Sequence, residues 1–256
     1  MITAGIDCGA RRTKTIMMKD GQIIGRGNVL TGFDQNRAIM ASWEVALMDA
    51  GLSEGDVEKR CGTGSGKQCI QHAGLVNDIK AIAKGTLYFF PKVRTVADVG
   101  AEEVRAIKID HNGTVVDFAI NEKCAAGGGA FIEAMARALE VDLEEMGPLC
   151  LRSHKEIPLN AQCVIFAESE VVGLIHAKTE KADISKAIHD AMASRIVSMI
   201  RRIGVNEDVA MVGGVAHNPG FVEAMKRELG LDTIHIFEAP EYGAAVGAAL
   251  VAAEEQ

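Results

Sequence analysis

Apolar and polar residues change rhythm along this chain in an order that occurs twice. Residues 2 to 7, "ITAGID", form a short apolar run that closes on Asp7. "RTKTIMMKDGQIIGRGNV" then alternates enough to predict a β-hairpin, with Asp20-Gly21 as its two-residue turn. In "NRAIMASWEVALMDAGL" the apolar residues recur at helical spacing, and the run stops at Gly51. "VRTVADVGAEEVRAIKIDHNGTVVDFAI" repeats the first pattern: a strand ends in Asp98-Val99-Gly100 and a second hairpin turns at Asn112-Gly113. "GIDCG" and "ADVGA" are thus an internal echo, each setting an aspartate and a glycine at the end of an apolar strand.

A third apolar strand, in "EDVAMVGGVAHNPGFVEAMKRELG", ends in Gly213-Gly214 and runs into a helix. "AFIEAMARALEV" places Phe131, Ala134, Met135 and Ala138 on one helical face, and "YGAAVGAALVAAEEQ" predicts a helix with a small-residue face. No low-complexity linker separates these units. At 256 residues, one large domain or two sub-domains are both reasonable.

Composition narrows the function. A formal net charge of −8 argues against nucleic acid and anionic membrane surfaces as partners. "MITAGIDCGA" lacks the basic start of a signal peptide, and no run of 18 or more apolar residues occurs, so the expected location is cytoplasmic. In that reducing compartment the six cysteines, Cys8, Cys61, Cys69, Cys124, Cys150 and Cys163, are not a disulfide framework. No Cys-x-x-Cys pair exists, so any metal site must join cysteines distant in sequence. The 27 glycines suit backbone-lined ligand sites.

Glycines after a strand let backbone N–H groups approach phosphate oxygens, and a nearby carboxylate can hold the accompanying Mg²⁺, directly or through water. Two such loops can clamp a triphosphate, and a third glycine pair can carry the adenosine. "CGTGSGKQ" fails the P-loop spacing because Cys61 and Gln68 occupy its end positions, and it fails G-x-G-x-x-G because Lys67 replaces the last glycine. It reads as a Gly-rich turn after a strand.

At these residues the chain resembles a known group. "GIDCGARRTKT", "ADVGAEE" and "VGGVAHNPG" are similar to the phosphate-1, phosphate-2 and adenosine segments of the superfamily that unites actin, the heat-shock chaperone ATPases and the sugar kinases. Within it, "NEKCAAGGGAF", "CVIFAESEV" and "GGVAHNPG" resemble the BadF/BadG/BcrA/BcrD ATPases, which include the activator of 2-hydroxyglutaryl-CoA dehydratase and the ATPase subunits of benzoyl-CoA reductase. The resemblance implies an α/β fold of two lobes with ATP between them, residues 1–92 plus 241–256 forming the first and 93–240 the second. It implies that Gly9, Ala10, Arg11, Arg12, Thr13 and Lys14 form the first phosphate loop, and Gly100 and Ala101 the second. Gly213, Gly214 and Asn218 fall at the adenosine, Asp7 and Asp98 at Mg·ATP, and Glu102 at the hydrolytic water.

Departures from the family pattern are specific. GIDxGSTTTK becomes a loop with Ala10-Arg11-Arg12, and the dehydratase activators' DIGGQD becomes Asp98-Val99-Gly100-Ala101-Glu102-Glu103. The altered second loop leans toward a benzoyl-CoA reductase subunit over a dehydratase activator.

Cys124 lies just upstream of a predicted helix N-terminus, where partial positive charge favours a thiolate. Gly127 and Gly128 leave N–H groups to point at a sulfur or a cluster, and if Asn160 caps the next helix, Cys163 falls in its first turn. The resemblance puts Cys124 and Cys163 at ligand positions of one [4Fe-4S] cluster bridging two subunits, either a homodimer or a heterodimer with a paralogous chain. Cys150, in "GPLCLRSHKE", reads as a loop residue, while Cys8, Cys61 and Cys69 read as structural. Lys14 is either a phosphate ligand or a solvent-facing strand residue. Glu168 and Glu170 either support the cluster helix or form an exposed acidic turn. His72, His154, His176 and His189 show no metal spacing.

The implied chemistry is ATP-driven delivery of low-potential electrons from ferredoxin to an iron–sulfur acyl-CoA reductase or dehydratase. Moving an electron uphill costs about 2.3 kcal/mol per 100 mV, so nucleotide must drive it. A small-molecule kinase of the same superfamily would share the ATP loops but leave Cys124 with Cys163 unexplained. A non-catalytic binding module would need neither loop.

Overall fold

The computed structural model describes residues 1–121, 128–159 and 163–254. It divides into two units, one of Met1–Val93, Ile109–Val115 and Glu241–Gln256, the other of Arg94–Lys108 and Val116–Pro240.

In the first unit, β1 (Ile2–Cys8) pairs antiparallel with β2 (Arg12–Lys19), which pairs with β3 (Gln22–Leu30). Lys19 faces Gln22 across Asp20 and Gly21, both at positive φ, as the Asp-Gly signal predicts. β4 (Lys59–Thr63) lies parallel to β1, and the short β5 (Gly74–Leu75) completes the order β3-β2-β1-β4-β5. Helix α1 (Gln35–Ala50) starts on Asp34, whose carboxylate accepts from the Arg37 N–H, and ends at Gly51 in the left-handed conformation. Ala4, Ile6 and Cys8 pack with Trp43 and Ala46 of α1 in one core. Gly5 alternates to the other face of β1, where a Cβ would stand 1.9 Å from the Ala245 carbonyl of α8 (Gly243–Glu254).

The small-residue face of α8 has a second partner in α2 (Asp78–Phe89). A Cβ on Gly247 would sit 1.7 Å from the Ala81 carbonyl, and one on Gly85 would sit 1.8 Å from the Gly243 carbonyl. Both obstacles are backbone, so nothing can rotate away. Gly247→Ala is therefore expected to cost about 3 kcal/mol by overpacking, read as a fall of roughly 6 °C or more in melting temperature. The solvent-facing Gly55→Ala is the control, since its Cβ meets nothing within 4 Å.

In the second unit, β6 (Thr95–Val99) pairs antiparallel with β7 (Val104–Ile109) and parallel with β9 (Val209–Val212). With β8 (Val115–Asn121) the sheet order is β8-β7-β6-β9. Its core joins the sheet to α3 (Gly129–Leu139), α4 (Leu143–Cys150), α5 (Val164–His176), α6 (Lys181–Ile203) and α7 (Pro219–Leu229), with Phe131, Met135, Met146 and Phe221 fully enclosed. Cys150 is the last residue of α4 and buried, not a loop residue as its Gly- and Pro-containing surroundings imply. Cys61 lies inside β4 opposite Gly5. Among the described residues, no helix is long and apolar enough to cross a membrane.

Candidate functional site

The echo seen along the chain is reproduced atom by atom. Asp7 closes β1 opposite Lys14 of β2, and the Lys14 ammonium lies 2.7 Å from its carboxylate. Asp98 closes β6 opposite Arg105 of β7, and the guanidinium donates to its carboxylate at 2.9 Å. Both aspartates are buried. The cation stands seven residues on in each case, the partner that hairpin register dictates. Lys14 is thus a mostly buried partner of Asp7, and its side chain does not run to solvent as a plain strand residue would. A carboxylate already held by a cation suits a magnesium ion bound through water better than one bound directly.

The echo extends to the parallel strands. Asp7 faces Thr63 of β4, and Gly64 follows at φ +91; Asp98 faces Val212 of β9, and Gly213 follows at φ +90. A Cβ on Gly64 would fall 2.5 Å from the Asp7 carboxylate, and one on Gly213 would fall 3.0 Å from that of Asp98. "CGTGSGKQ" is therefore the first unit's counterpart of the Gly213-Gly214 turn. Asp78 braces it, accepting from Thr63, the Gly64 N–H and Lys67 at 3.0, 3.1 and 3.2 Å.

In the first loop, the Gly9 carbonyl accepts from the Thr31 hydroxyl at 2.8 Å, and the Arg11 carbonyl from the Thr31 N–H at 3.1 Å. Ala10 and Arg11 are exposed. Arg12 donates to the Asn28 side chain at 2.6 Å, and the Thr13 hydroxyl is buried against that of Thr31 at 2.9 Å. These two side chains serve the hairpin.

The second loop is tied to a helix. The Gly100 N–H donates to the Glu103 carbonyl, closing the turn between β6 and β7. The Gly100 and Ala101 carbonyls then accept from the Gly129 and Ala130 N–H groups at 2.9 Å each. Gly128 precedes α3 with no side-chain cap, and a Cβ there would sit 2.4 Å from the Ala101 carbonyl. The loop itself thus caps α3, satisfying donors that a helix start otherwise leaves bare. The Gly129 and Ala130 N–H groups are thereby taken up by the second loop. Cys124 and Gly127 lie outside the described residues.

Cys163 is the N-cap residue of α5, one position earlier than the expected first turn; Asn160 lies outside the described residues. Its thiol is half-buried. Along α5 only Ala167 and Val171 are buried, while Ile165 and Phe166 are 70% and 64% exposed, and Val172 and Ile175 are exposed as well. Glu168 and Glu170 stand on this helix, exposed, rather than in a turn. Among the described residues, the Cys8, Cys69 and Cys150 thiols are engaged elsewhere. Burial pushes Cys150 up to about 11, and it pushes Cys8 up as well. Cys69 donates to Gln35. Among the described residues, no group of three or more His, Cys, Asp or Glu could hold a metal ion.

The model of one family, the BadF/BadG/BcrA/BcrD ATPase family, matches residues 4–252. The chain belongs to the BadF/BadG/BcrA/BcrD ATPase family. Within it, the chain is 37% identical to the activator of lactoyl-CoA dehydratase from Anaerotignum propionicum, covering 99% of this chain and 98% of that one. The structure of (R)-2-hydroxyglutaryl-CoA dehydratase component A from Acidaminococcus fermentans matches with a TM-score of 0.94 at 35% identity, over 99% of this chain and 98% of that one. That of the activator of the 2-hydroxyisocaproyl-CoA dehydratase from Clostridium difficile, with bound ADPNP, matches with 0.92 at 34% identity, over 99% and 95%. A benzoyl-CoA reductase subunit of Thauera aromatica is 29% identical over 97% of this chain and 92% of its own. A ROK family glucokinase from Streptomyces griseus shares the fold, with a TM-score of 0.63 at 15% identity over the full length of both chains.

Glu102 is exposed beside the bound Gly100 and Ala101, whereas Glu103 is bonded to Arg105, which also holds Asp98. Of the two carboxylates in this BadF/BadG/BcrA/BcrD loop, Glu102 is the exposed one. Glu102→Ala is expected to slow single-turnover ATP hydrolysis by roughly 10²-fold while ATP still binds. If repulsion of the γ-phosphate dominates instead, Glu102→Gln is faster than the unaltered protein. A change under about twofold in both variants makes Glu102 a solvated turn residue.

Proposed function

We propose that this protein is the ATP-driven electron donor of an iron–sulfur acyl-CoA enzyme, and specifically an activator of a 2-hydroxyacyl-CoA dehydratase. The observation that carries the reading is the pair of hydrogen bonds from Gly129 and Ala130 to the Gly100 and Ala101 carbonyls. They make the second phosphate loop and the helix after Cys124 one mechanical piece. A loop displaced by nucleotide displaces that helix, because the alternative leaves N–H donors at the helix start unpaired. The identities of 34–37% to dehydratase activators, against 29% to the reductase subunit, support the dehydratase branch.

Cys163 fits a shared [4Fe-4S] cluster: a half-buried thiol at a helix start, ringed by exposed Ile165 and Phe166 that a second chain would cover. When bound, such a group supplies one-electron storage at low potential. Cys124 and Cys163 of each chain would hold it. Ferredoxin would be the electron source, in the cytoplasm.

The second reading, a benzoyl-CoA reductase subunit, is favoured by one feature, the Ala101-Glu102 sequence in place of the dehydratase activators' Gly-Gln. Anaerobic purification separates the classes. An iron-bearing dimer whose ATP hydrolysis accompanies electron transfer supports the proposal. A colourless, iron-free protein that phosphorylates a small molecule sinks it. Activation of a dehydratase but not a reductase partner separates the two branches.

A further inference from the structure

His189 has no part in the chemistry above, yet it is fully enclosed and both its ring nitrogens are engaged. Nδ1 lies 2.7 Å from the Ser185 carbonyl one turn back on α6, and Nε2 lies 3.0 Å from the Asn218 amide nitrogen. The Asn218 carbonyl oxygen accepts from the Phe221 N–H at 3.1 Å and so caps α7. That bond decides the rest. With the amide oxygen committed to the helix, its NH₂ faces His189, so Nε2 must accept and the proton must sit on Nδ1, donating to the Ser185 carbonyl. Asn218 also ends the turn that begins at Gly213-Gly214. Gly147 of α4 presses on the amide, where a Cβ would come 2.6 Å from its oxygen, and Ser185 donates to the Met146 carbonyl at 2.7 Å. One enclosed imidazole thus joins α4, α6 and α7 behind the third glycine turn.

We infer that His189 is a positioning residue for nucleotide: as a neutral acceptor it holds the Asn218 amide, and with it the Gly213–Asn218 turn, and protonation of its ring releases both. The inference rests on the assignment of that turn to adenosine. A proton on Nε2 would set two donors face to face. The amide must then rotate, which turns its NH₂ toward the Phe221 N–H and uncaps α7.

The charged groups around the ring are Lys186 and Asp190 of α6 and Arg227 of α7, joined through Asp190, with the buried thiol of Cys150 on α4. Burial holds His189 below its ordinary value, against the pull of Ser185, Asn218 and Asp190. The folded ring is therefore neutral from pH 8 to about 6.5 and takes up its proton only in more acid solution, where the unfolded ring is already charged. Stability is full above about pH 6.5 and falls below it, whereas nucleotide affinity falls only at the lower pH where the folded ring takes up its proton.

The test measures binding of a fluorescent ADP analogue, with magnesium, by the full chain from pH 7.5 down to the lowest pH at which it stays folded. His189→Leu removes the acceptor and is expected to bind about fivefold more weakly at pH 7.5, the scale of a lost helix cap. His189→Gln restores a carbonyl acceptor that does not titrate. It is expected to bind within about twofold of the unaltered protein at pH 7.5 and to lose about fivefold less on acidification. The same nucleotide in both proteins cancels its own titration. Nitrogen-15 spectra of the ring give a second readout, in which the Nδ1–H tautomer is expected at pH 7.5. An Nε2–H tautomer overturns the inference even where His189→Leu fails to fold. So does equal acid loss in the unaltered and Gln proteins. If the unaltered protein binds no nucleotide at pH 7.5, the functional reading falls and takes this inference with it, whereas binding unchanged in His189→Leu overturns the inference alone.

Discussion

Cys163→Ser protein, prepared without oxygen, is expected to carry no iron and to form a weakened dimer. The argument runs from α5. A helix that leaves Ile165, Phe166, Val172 and Ile175 to water presents an apolar patch of the kind that marks a protein–protein contact. A two-fold axis at its start would bring two copies of Cys163 together and cover the apolar residues of each chain with those of the other. Serine keeps the shape and removes the soft thiolate that iron requires. The apolar surface remains, so the dimer weakens rather than vanishing. Iron per chain by metal analysis and mass by light scattering give the two readouts. Full iron in the serine protein would remove Cys163 from the ligand set. Loss of iron with an unchanged dimer would place the interface elsewhere. Cys150→Ser is the control: its thiol is buried against Gly220, and its removal should leave iron untouched.

The elements that could be read from the chain are those whose cause is local. Asp20-Gly21 and Gly51 carry their own backbone chemistry, and both stand where that chemistry predicts. The pairing of Asp7 with Lys14 and of Asp98 with Arg105 was also open to reading, because a hairpin of known turn fixes which residues face each other. The equal spacing of seven residues was the overlooked signal. "CGTGSGKQ" hid its place because its meaning depends on parallel pairing of β4 with β1, a contact between residues more than fifty apart. Cys150 read as loop because Gly147 and Pro148 are poor helix formers, yet Gly147 is present for close approach to Asn218 and Pro219. Tertiary contact overrode propensity there. The capping of α3 by the Gly100 and Ala101 carbonyls, and the Asn218–His189 bond, are bonds between distant segments that no pattern along the chain announces.

Asp98→Asn is expected to lower ATP hydrolysis on the order of 10²–10³-fold, the loss seen when one oriented electrostatic group is removed from a charge-developing site, with the cluster spectrum unchanged. Asp7→Asn is expected to match it, since the two carboxylates occupy equivalent positions in their sheets. The alternative is that each aspartate does no more than neutralise its cation. Arg105 and Lys14 are mostly enclosed, and removal of one partner of such a pair leaves an uncompensated charge, at roughly 3 kcal/mol or more where burial is complete. The two roles separate in double variants. Asp7→Asn with Lys14→Met removes both charges, so a purely structural pair regains most of its melting temperature and its turnover together. A catalytic carboxylate regains melting temperature alone, and turnover stays down by the full factor. Asp98→Asn with Arg105→Met gives the same contrast in the second sheet, complicated by the second bond of Arg105 to Glu103, so the first pair is the cleaner measurement. Wild-type turnover in Asp7→Asn and in Asp98→Asn would remove both loops from the phosphate site. Loss in one alone would leave a single working loop and break the functional symmetry that the echo predicts.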